Sequence, residues 1–374
     1  MTTEPIGIYV HIPFCKSKCA YCDFVSFGGA LSKYEEQYVN SLISEISEYR
    51  AEDKILVNTV FFGGGTPSLI SAASFEKIVS ALRESFEILP ETEFTLEANP
   101  KTLTEEKLKI YKRCGVNRIS LGLQSIHENE LKILGRIHNF AEFLDSYNLC
   151  LRSKITNINV DLMYAIPEQT KESFAATLEK IISLSPDHIS AYGLILEEGT
   201  RLYEKRESLK FPTEDEECEM YYMAADMLRK AGYLHYEISN YAKPGSECRH
   251  NLKYWQHKEY IGLGLAAHSY YREKRFANPV DFCEYFSPER KSYVQTEEID
   301  IETSAYEYAM MHLRLSDGFS LEEYENKFAK SFINGKEPYI DGLIKGGYIL
   351  KEDGRLFLTE KGFYVSNTIL SELL

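Results

Sequence analysis

Residues 6–13, IGIYVHIP, are apolar, β-branched or aromatic almost throughout, and a proline closes the run. The pattern predicts a buried strand that stops at Pro13. Similar runs recur at VNTVFFGG (57–64), EFTLEANP (93–100), NRISLGLQS (117–125), ITNINVDLMYAIP (155–167) and DHISAYGLIL (187–196). Between them, 33–49, 71–86, 104–115 and 171–184 repeat apolar positions three and four apart and read as amphipathic helices. Thr104 is placed to cap the third of these, and Gly115 to end it. Strands alternating with helices predict parallel pairing with the helices outside. A barrel-like sheet and a doubly wound open sheet both fit, and both gather chemistry at the C-terminal ends of their strands.

The pattern then changes. A helix over about 214–231 precedes two apolar segments, HYEISNYA (235–242) and YIGLGLAAHSY (260–270). Beyond residue 300, helices are expected at 304–315, 320–330 and 337–345, followed by YILKEDGRLFLTEKG (348–362). Asp353-Gly354 between two β-rich runs is a hairpin signal. The expected division is a core at 1–200 with a cysteine loop at 11–24, an extension at 201–300, and a small winged-helix-like domain at 301–374.

Composition narrows the function classes. With 374 residues, 44% of them apolar, the chain can build a large core without disulfides. Its 27 tyrosines and 20 phenylalanines exceed what a minimal core needs, so some are expected to line a cavity. A formal charge of −15 repels nucleic-acid phosphates and anionic membranes, which argues against DNA binding by the winged-helix-like segment. No apolar run approaches the roughly 18 residues of a membrane helix, and the Met-Thr-Thr-Glu start does not read as a signal peptide. A cytoplasmic protein without membrane insertion is expected. Its eight cysteines should then be thiols or ligands rather than staples. Cys114, Cys150, Cys218 and Cys283 are expected to be inert.

Cys15, Cys19 and Cys22 stand apart, as C-x3-C-x2-C on a loop after the first strand. Soft thiolates select zinc or an iron–sulfur cluster. A closed zinc site needs a fourth ligand, which His11 would supply. A [4Fe–4S] cluster held by three cysteines instead leaves one iron open to another ligand. The polar residues at later strand ends, Gly63 to Thr66, Glu97, Gln124 and Asp161, face the same rim.

CKSKCAYC resembles the signature of the radical SAM superfamily. The resemblance implies a partial (β/α)6 TIM-like barrel and a [4Fe–4S] cluster on Cys15, Cys19 and Cys22. Its open iron would chelate S-adenosylmethionine (SAM), which is split to a 5′-deoxyadenosyl radical. Gly63, Gly64, Gly65 and Thr66 of GGGTP resemble the superfamily's site for the SAM amino group. Tyr9, Glu97, Gln124, Arg136 and Asp161 match SAM-contacting positions in the branch that contains oxygen-independent coproporphyrinogen III dehydrogenase. Carboxylates and amides suit ribose hydroxyls, and an arginine fork suits the methionine carboxylate.

Two departures separate the chain from those dehydrogenases. They carry an additional N-terminal arm, for which Cys15 lies too near the start, and a fourth cysteine where this chain has Phe24. Both departures resemble the related haem chaperones, the HemW group. PGSECRHNLKYWQ (244–256), with the only tryptophan, is similar to that group's H-N-x-x-Y-W haem-binding motif through His250, Asn251, Tyr254 and Trp255. Imidazole is a good axial ligand for iron, aromatic faces suit a porphyrin, and Arg249 and Lys253 would meet its propionates. Cys248 is a competing thiolate. The leading expectation is a haem chaperone binding haem, cluster and SAM and delivering haem to acceptor proteins such as respiratory enzymes. The alternative is a dehydrogenase that converts two propionates of coproporphyrinogen III to vinyl groups. Porphyrin, a reductant such as flavodoxin or ferredoxin, and a second copy of the chain complete the expected partners.

Overall fold

The computed structural model describes residues 4–373, so the Met-Thr-Thr start lies outside it. Six strands form a parallel sheet in chain order: β1 (Ile6–Ile12), β2 (Ile55–Gly64), β3 (Phe86–Ala98), β4 (Arg118–Gln124), β5 (Asn157–Tyr164) and β6 (His188–Gly193). The order decides between the two folds left open by the sequence. Each right-handed crossover advances the sheet by one strand in the same direction, so the helices fall on one face. A doubly wound sheet needs a reversal of order, and there is none among these six strands. The sheet is a barrel wall.

The wall is extended at both edges. Beyond β6 lie the short antiparallel strands β7 (Leu234–Glu237) and β8 (Asn240–Ala242), with β8 against β6. Beyond β1, β9 (Tyr260–Leu263) pairs in parallel, followed by antiparallel β10 (His268–Tyr271), β11 (Lys274–Ala277) and β12 (Gln295–Glu298). The two outer edges do not pair with each other among the described residues, so the barrel is open.

The helices follow local rules. α1 (Leu31–Ser47) and α2 (Ala72–Ser85) pack together outside the first two strands. Thr104 caps α3 (Glu105–Arg113) by accepting from the Lys107 amide, as expected. The stretch 126–154, outside the helices that apolar spacing predicts, holds α4 (Glu128–Ile133) and α5 (Phe140–Arg152). The latter opens on a reciprocal capping box between Asn139 and Glu142, an N-x-x-E signal that was legible in the sequence. α6 (Lys171–Leu184), α7 (Glu214–Lys230) and α8 (Arg249–Trp255) follow. Strand β3 begins at Phe86 rather than at 93.

The C-terminal segment contains α9 (Ile301–His312), α10 (Leu321–Phe328) and α11 (Glu337–Lys345), then a small sheet of β13 (Phe319–Ser320), β14 (Ile349–Glu352) and β15 (Arg355–Leu358). Asp353 and Gly354 both take positive φ, 49° and 75°, which is the primed turn that a two-residue hairpin requires. Three helices and a winged hairpin are present. Two further helices, Glu360–Tyr364 and Ser366–Leu373, were not expected.

The β1–β2 register positions the site. His11 lies opposite Gly63 and Ile12 opposite Gly64. The glycine turn therefore runs beside the cysteine loop, and the Gly65 and Thr66 amides donate to the Ile12 and Phe14 carbonyls, each at 2.8 Å. A Cβ on Gly65 would lie 2.7 Å from the Phe14 carbonyl oxygen, a backbone atom that cannot swing away. Gly65→Ala is expected to destabilise the protein by about 1–3 kcal/mol, the usual range for overpacking, measured by urea unfolding. Unchanged stability would show that the loop yields freely.

Candidate functional site

The strand ends and the cysteine loop enclose a cavity of about 420 Å³ at the C-terminal rim of the barrel. All three cysteines of the trio line it. Cys15 ends a two-residue strand, Phe14–Cys15, that pairs with Phe27–Gly28, so both ends of the loop are tied together. The loop is pinned again where the Ala20 amide donates to the Leu134 carbonyl at 2.9 Å and the Ala20 carbonyl accepts from the Leu202 amide at 2.8 Å. Burial pushes the Cys15 and Cys22 thiols up. An Arg136 Nη1 stands 3.3 Å from the Cys19 sulfur, placing a positive charge where thiolates would collect.

These facts test the two metal readings. His11 is not free to complete a zinc site. Its Nε2 meets the Val25 carbonyl at 2.9 Å and its Nδ1 meets the Tyr9 hydroxyl at 3.0 Å. Among the described residues no three His, Cys, Asp or Glu side chains close on one point as a lone ion demands. Three thiols spread around one cavity mouth fit a cluster, whose irons are separate attachment points.

Most of the expected SAM positions share this cavity. Gly64, Gly65, Thr66, Glu97, Gln124, Arg136 and Asp161 all line it. Arg136 is held in place, with Nη2 donating to Asn99 Oδ1 at 2.5 Å and to the Gly122 carbonyl. Asp161 accepts from Asn159 Nδ2 at 2.7 Å and from the Ser120 hydroxyl at 3.2 Å, and burial raises its carboxyl. Burial, followed by the nearby Asp161 charge, pushes the Glu97 carboxyl up to about 8. Gln124 sits at φ 75°, in the left-handed region, where the Tyr192 hydroxyl donates to its Oε1 at 2.9 Å.

Tyr9 and Gly63 lie one layer deeper. A Cβ on Gly63 would be 2.9 Å from the Tyr9 ring, so Gly63 makes room for that ring rather than for a ligand. Asn99, Tyr21 and Tyr192 also line the cavity and were not singled out from sequence. Asn99 bridges Arg136 and the Thr66 hydroxyl, the latter at 2.8 Å. Asn99 and Tyr192 follow the rule that marked Glu97, a polar group at a strand end. Tyr21 lies inside the cysteine signature.

The H-N-x-x-Y-W residues are elsewhere. They form α8, whose first amides are capped by a side chain from β3: the Arg249 and His250 N–H groups donate to the Glu93 carboxylate at 2.9 and 3.0 Å. His250 is 1% exposed. Its Nδ1 meets the Thr59 hydroxyl and its Nε2 the Tyr254 hydroxyl, both at 2.9 Å, and its ring stacks on Phe61. Burial lowers the imidazole to about 3, so it is neutral. Asn251 and Trp255 are half-buried, and the Arg314 guanidinium lies 5.7 Å over the Trp255 ring. Arg249 and Lys253 donate to the Glu91 and Pro5 carbonyls, each at 2.8 Å, rather than standing free. Burial pushes the Cys248 thiol up to about 12, which removes it as a thiolate.

An open parallel barrel with three thiols and a polar rim around one cavity is the architecture of a radical SAM protein. Residues 9–181 match the Radical SAM superfamily, and residues 299–365 match the HemN C-terminal domain. The fold matches a solved structure described as coproporphyrinogen III oxidase (HemN) from Escherichia coli, with a TM-score of 0.86 over 99% of this chain and 90% of that one at 20% identity. Among curated proteins, the chain is 35% identical to heme chaperone HemW of Lactococcus lactis, covering 100% of this chain and 98% of that protein. It is 32% identical to heme chaperone HemW of Bacillus subtilis, covering 98% of each. The chain belongs to the HemW family of radical SAM proteins.

Serine at Cys15, Cys19 or Cys22 is expected to abolish the iron and acid-labile sulfide retained after anaerobic reconstitution. A variant that keeps the wild-type iron content would remove that cysteine from the ligand set.

Proposed function

We propose that this chain is a haem chaperone: a cytoplasmic protein that carries a [4Fe–4S] cluster and SAM, binds haem, and passes it to haem proteins. The observation that carries this reading is the likeness, along the whole chain, to relatives named haem chaperones. Phe24 agrees with it. The position is filled by a phenylalanine that is 69% exposed at the cavity mouth, where the dehydrogenases are expected to place a fourth cysteine. No helix among the described residues is long and apolar enough to cross a membrane.

In this reading Cys15, Cys19 and Cys22 hold the cluster, which supplies an open iron for the amino acid end of SAM. Arg136 would meet the SAM carboxylate, and Glu97 and Asp161 its hydroxyls, a role supported by their lining the same cavity as the three cysteines. Gly64 and Gly65 let backbone approach the ligand without a Cβ in the way. The H-N-x-x-Y-W segment belongs to the haem side, with α8 held against the barrel by His250 and Glu93. Electrons would come from a reductant protein such as flavodoxin or ferredoxin, and a homodimer is part of the same proposal.

Anaerobic turnover tests the function. Cluster-loaded protein with SAM, reductant and coproporphyrinogen III is expected to give no protoporphyrinogen IX, while the same preparation binds haem and transfers it to an apo-haemoprotein. Multiple turnovers to protoporphyrinogen IX would make the chain a dehydrogenase instead.

The SAM site carries a pH signature. Burial and the Asp161 charge leave the Glu97 carboxyl protonated up to about pH 8. A carboxylate receives hydroxyl hydrogen bonds more strongly than a carboxylic acid does. With the carboxylate as the binding form, SAM affinity is expected to rise with pH, by up to about tenfold per unit, and to level off above 8. Glu97→Gln should flatten the profile; an unchanged slope in that variant would assign the proton to another group.

A further inference from the structure

The cysteine cavity and the H-N-x-x-Y-W helix share one buried polar network. At the rim, the Asp161 carboxylate accepts from Asn159 Nδ2 at 2.7 Å and from the Ser120 hydroxyl at 3.2 Å. Asn159 Oδ1 meets His188 Nδ1 at 2.6 Å, and His188 Nε2 meets the Tyr236 hydroxyl at 2.8 Å. The Tyr236 oxygen in turn accepts from the Cys248 amide at 3.2 Å. Cys248 is the residue from which α8 starts. An unbroken run of hydrogen bonds thus passes from a cavity-lining carboxylate, through β5, β6 and β7, to the start of the helix that carries His250, Asn251, Tyr254 and Trp255.

The carboxylate fixes the direction of every bond. It can only accept, so the Asn159 amide turns Nδ2 to Asp161 and Oδ1 to His188. His188 Nδ1 then carries the proton. Burial, followed by the Arg118 charge, keeps that imidazole neutral, so its Nε2 lone pair accepts from the Tyr236 O–H. From α8 onward, each donor points toward Asp161. Hydrogen bonds strung together in this way polarise one another, and away from water the effect is not screened. Asn159, His188 and Tyr236 are all buried. The helix has a second tether, the Glu93 carboxylate on its next two amides. The buried Arg118 guanidinium stands where the charges of both Glu93 and Asp161 reach it.

We infer that Asn159, His188 and Tyr236 are positioning residues that couple SAM at the rim to haem at α8, each ligand weakening the binding of the other. A ribose hydroxyl donated to Asp161 shares the charge on which Asn159 draws. The Asn159 bond weakens, and the change passes along the chain to the Cys248 amide. A motif helix held less firmly is less preorganised for its ligand. SAM therefore lowers haem affinity, and haem lowers SAM affinity by the same factor, because coupling between two binding equilibria is reciprocal. The inference rests on the haem-chaperone reading and supplies its regulation: loading of the cofactor favours release of the cargo.

The test measures both affinities in full-length, cluster-loaded protein, kept anaerobic and without reductant so that SAM stays intact. Ferric haem is titrated at the Soret band with and without saturating SAM, and SAM is titrated by calorimetry with and without haem. In wild type each ligand is expected to weaken the other by about fivefold or more, the lower end of usual coupling between sites. Tyr236→Phe removes only the hydroxyl that joins His188 to α8. It is expected to bind haem, with or without SAM, at the weaker affinity of SAM-saturated wild type, and to bind SAM no less tightly than wild type does. Merely structural damage would weaken both ligands and leave their coupling unchanged. His188→Phe, which cuts the chain one link nearer Asp161, should behave alike. Tyr233→Phe, which removes a buried hydroxyl that donates to the Pro186 carbonyl, should keep the wild-type coupling. Thermal melting checks the fold of each variant. A wild type whose haem affinity is unmoved or raised by SAM, or a Tyr236→Phe protein with the full wild-type coupling, would overturn the inference and leave the haem reading standing. Failure of wild type to bind haem would overturn both.

Discussion

The site depends on a backbone contact with no room to vary: the glycine turn after β2 pressed against the cysteine loop after β1. Two amide-to-carbonyl bonds join them, and the absent side chain of Gly65 is what permits the approach. The contact places Cys15 and Thr66 side by side, with the Thr66 hydroxyl 3.8 Å from the Cys15 sulfur. Asn99 then carries the link from Thr66 to Arg136, and Arg136 reaches Cys19. One chain of polar contacts thus runs from a strand turn, through the end of β3 and the loop after α4, back to the second cysteine. Positioning the thiols and positioning the polar rim are a single structural problem, solved by the parallel register of β1 to β5.

Below this rim the barrel interior is layered. Tyr9, Phe61 and His250 form an aromatic layer whose polar atoms are met from outside it, Tyr9 by His11 and His250 by Thr59 and Tyr254. A neutral, doubly bonded His250 is suited to such a layer, since an unpaired polar group there would be costly.

Much of this was legible in the residues. Six strand runs and their intervening helices mark an α/β core, and the Asp353-Gly354 turn marks the hairpin. Cys15, Cys19 and Cys22 stand apart from the scattered five by their spacing, and all three line one cavity. Glu97, Gln124 and Asp161 declare themselves as polar groups closing apolar strands. Periodicity was less informative at α5, where an unassigned stretch hid a capping box, and at β3, where the strand starts before its apolar run does.

Local pattern thus determined the elements, the cysteine loop and the strand-end residues, because each depends on spacing along a few neighbouring positions. Tertiary structure alone decided the rest. Whether the sheet winds in one direction or two is set by crossovers between whole strands. What meets the nitrogens of His250 is set in part by a distant segment, Thr59 of β2 on one and Tyr254 from the next turn of α8 on the other. A motif names residue types and their order, but the long-range partner of a nitrogen is a property of the packed molecule.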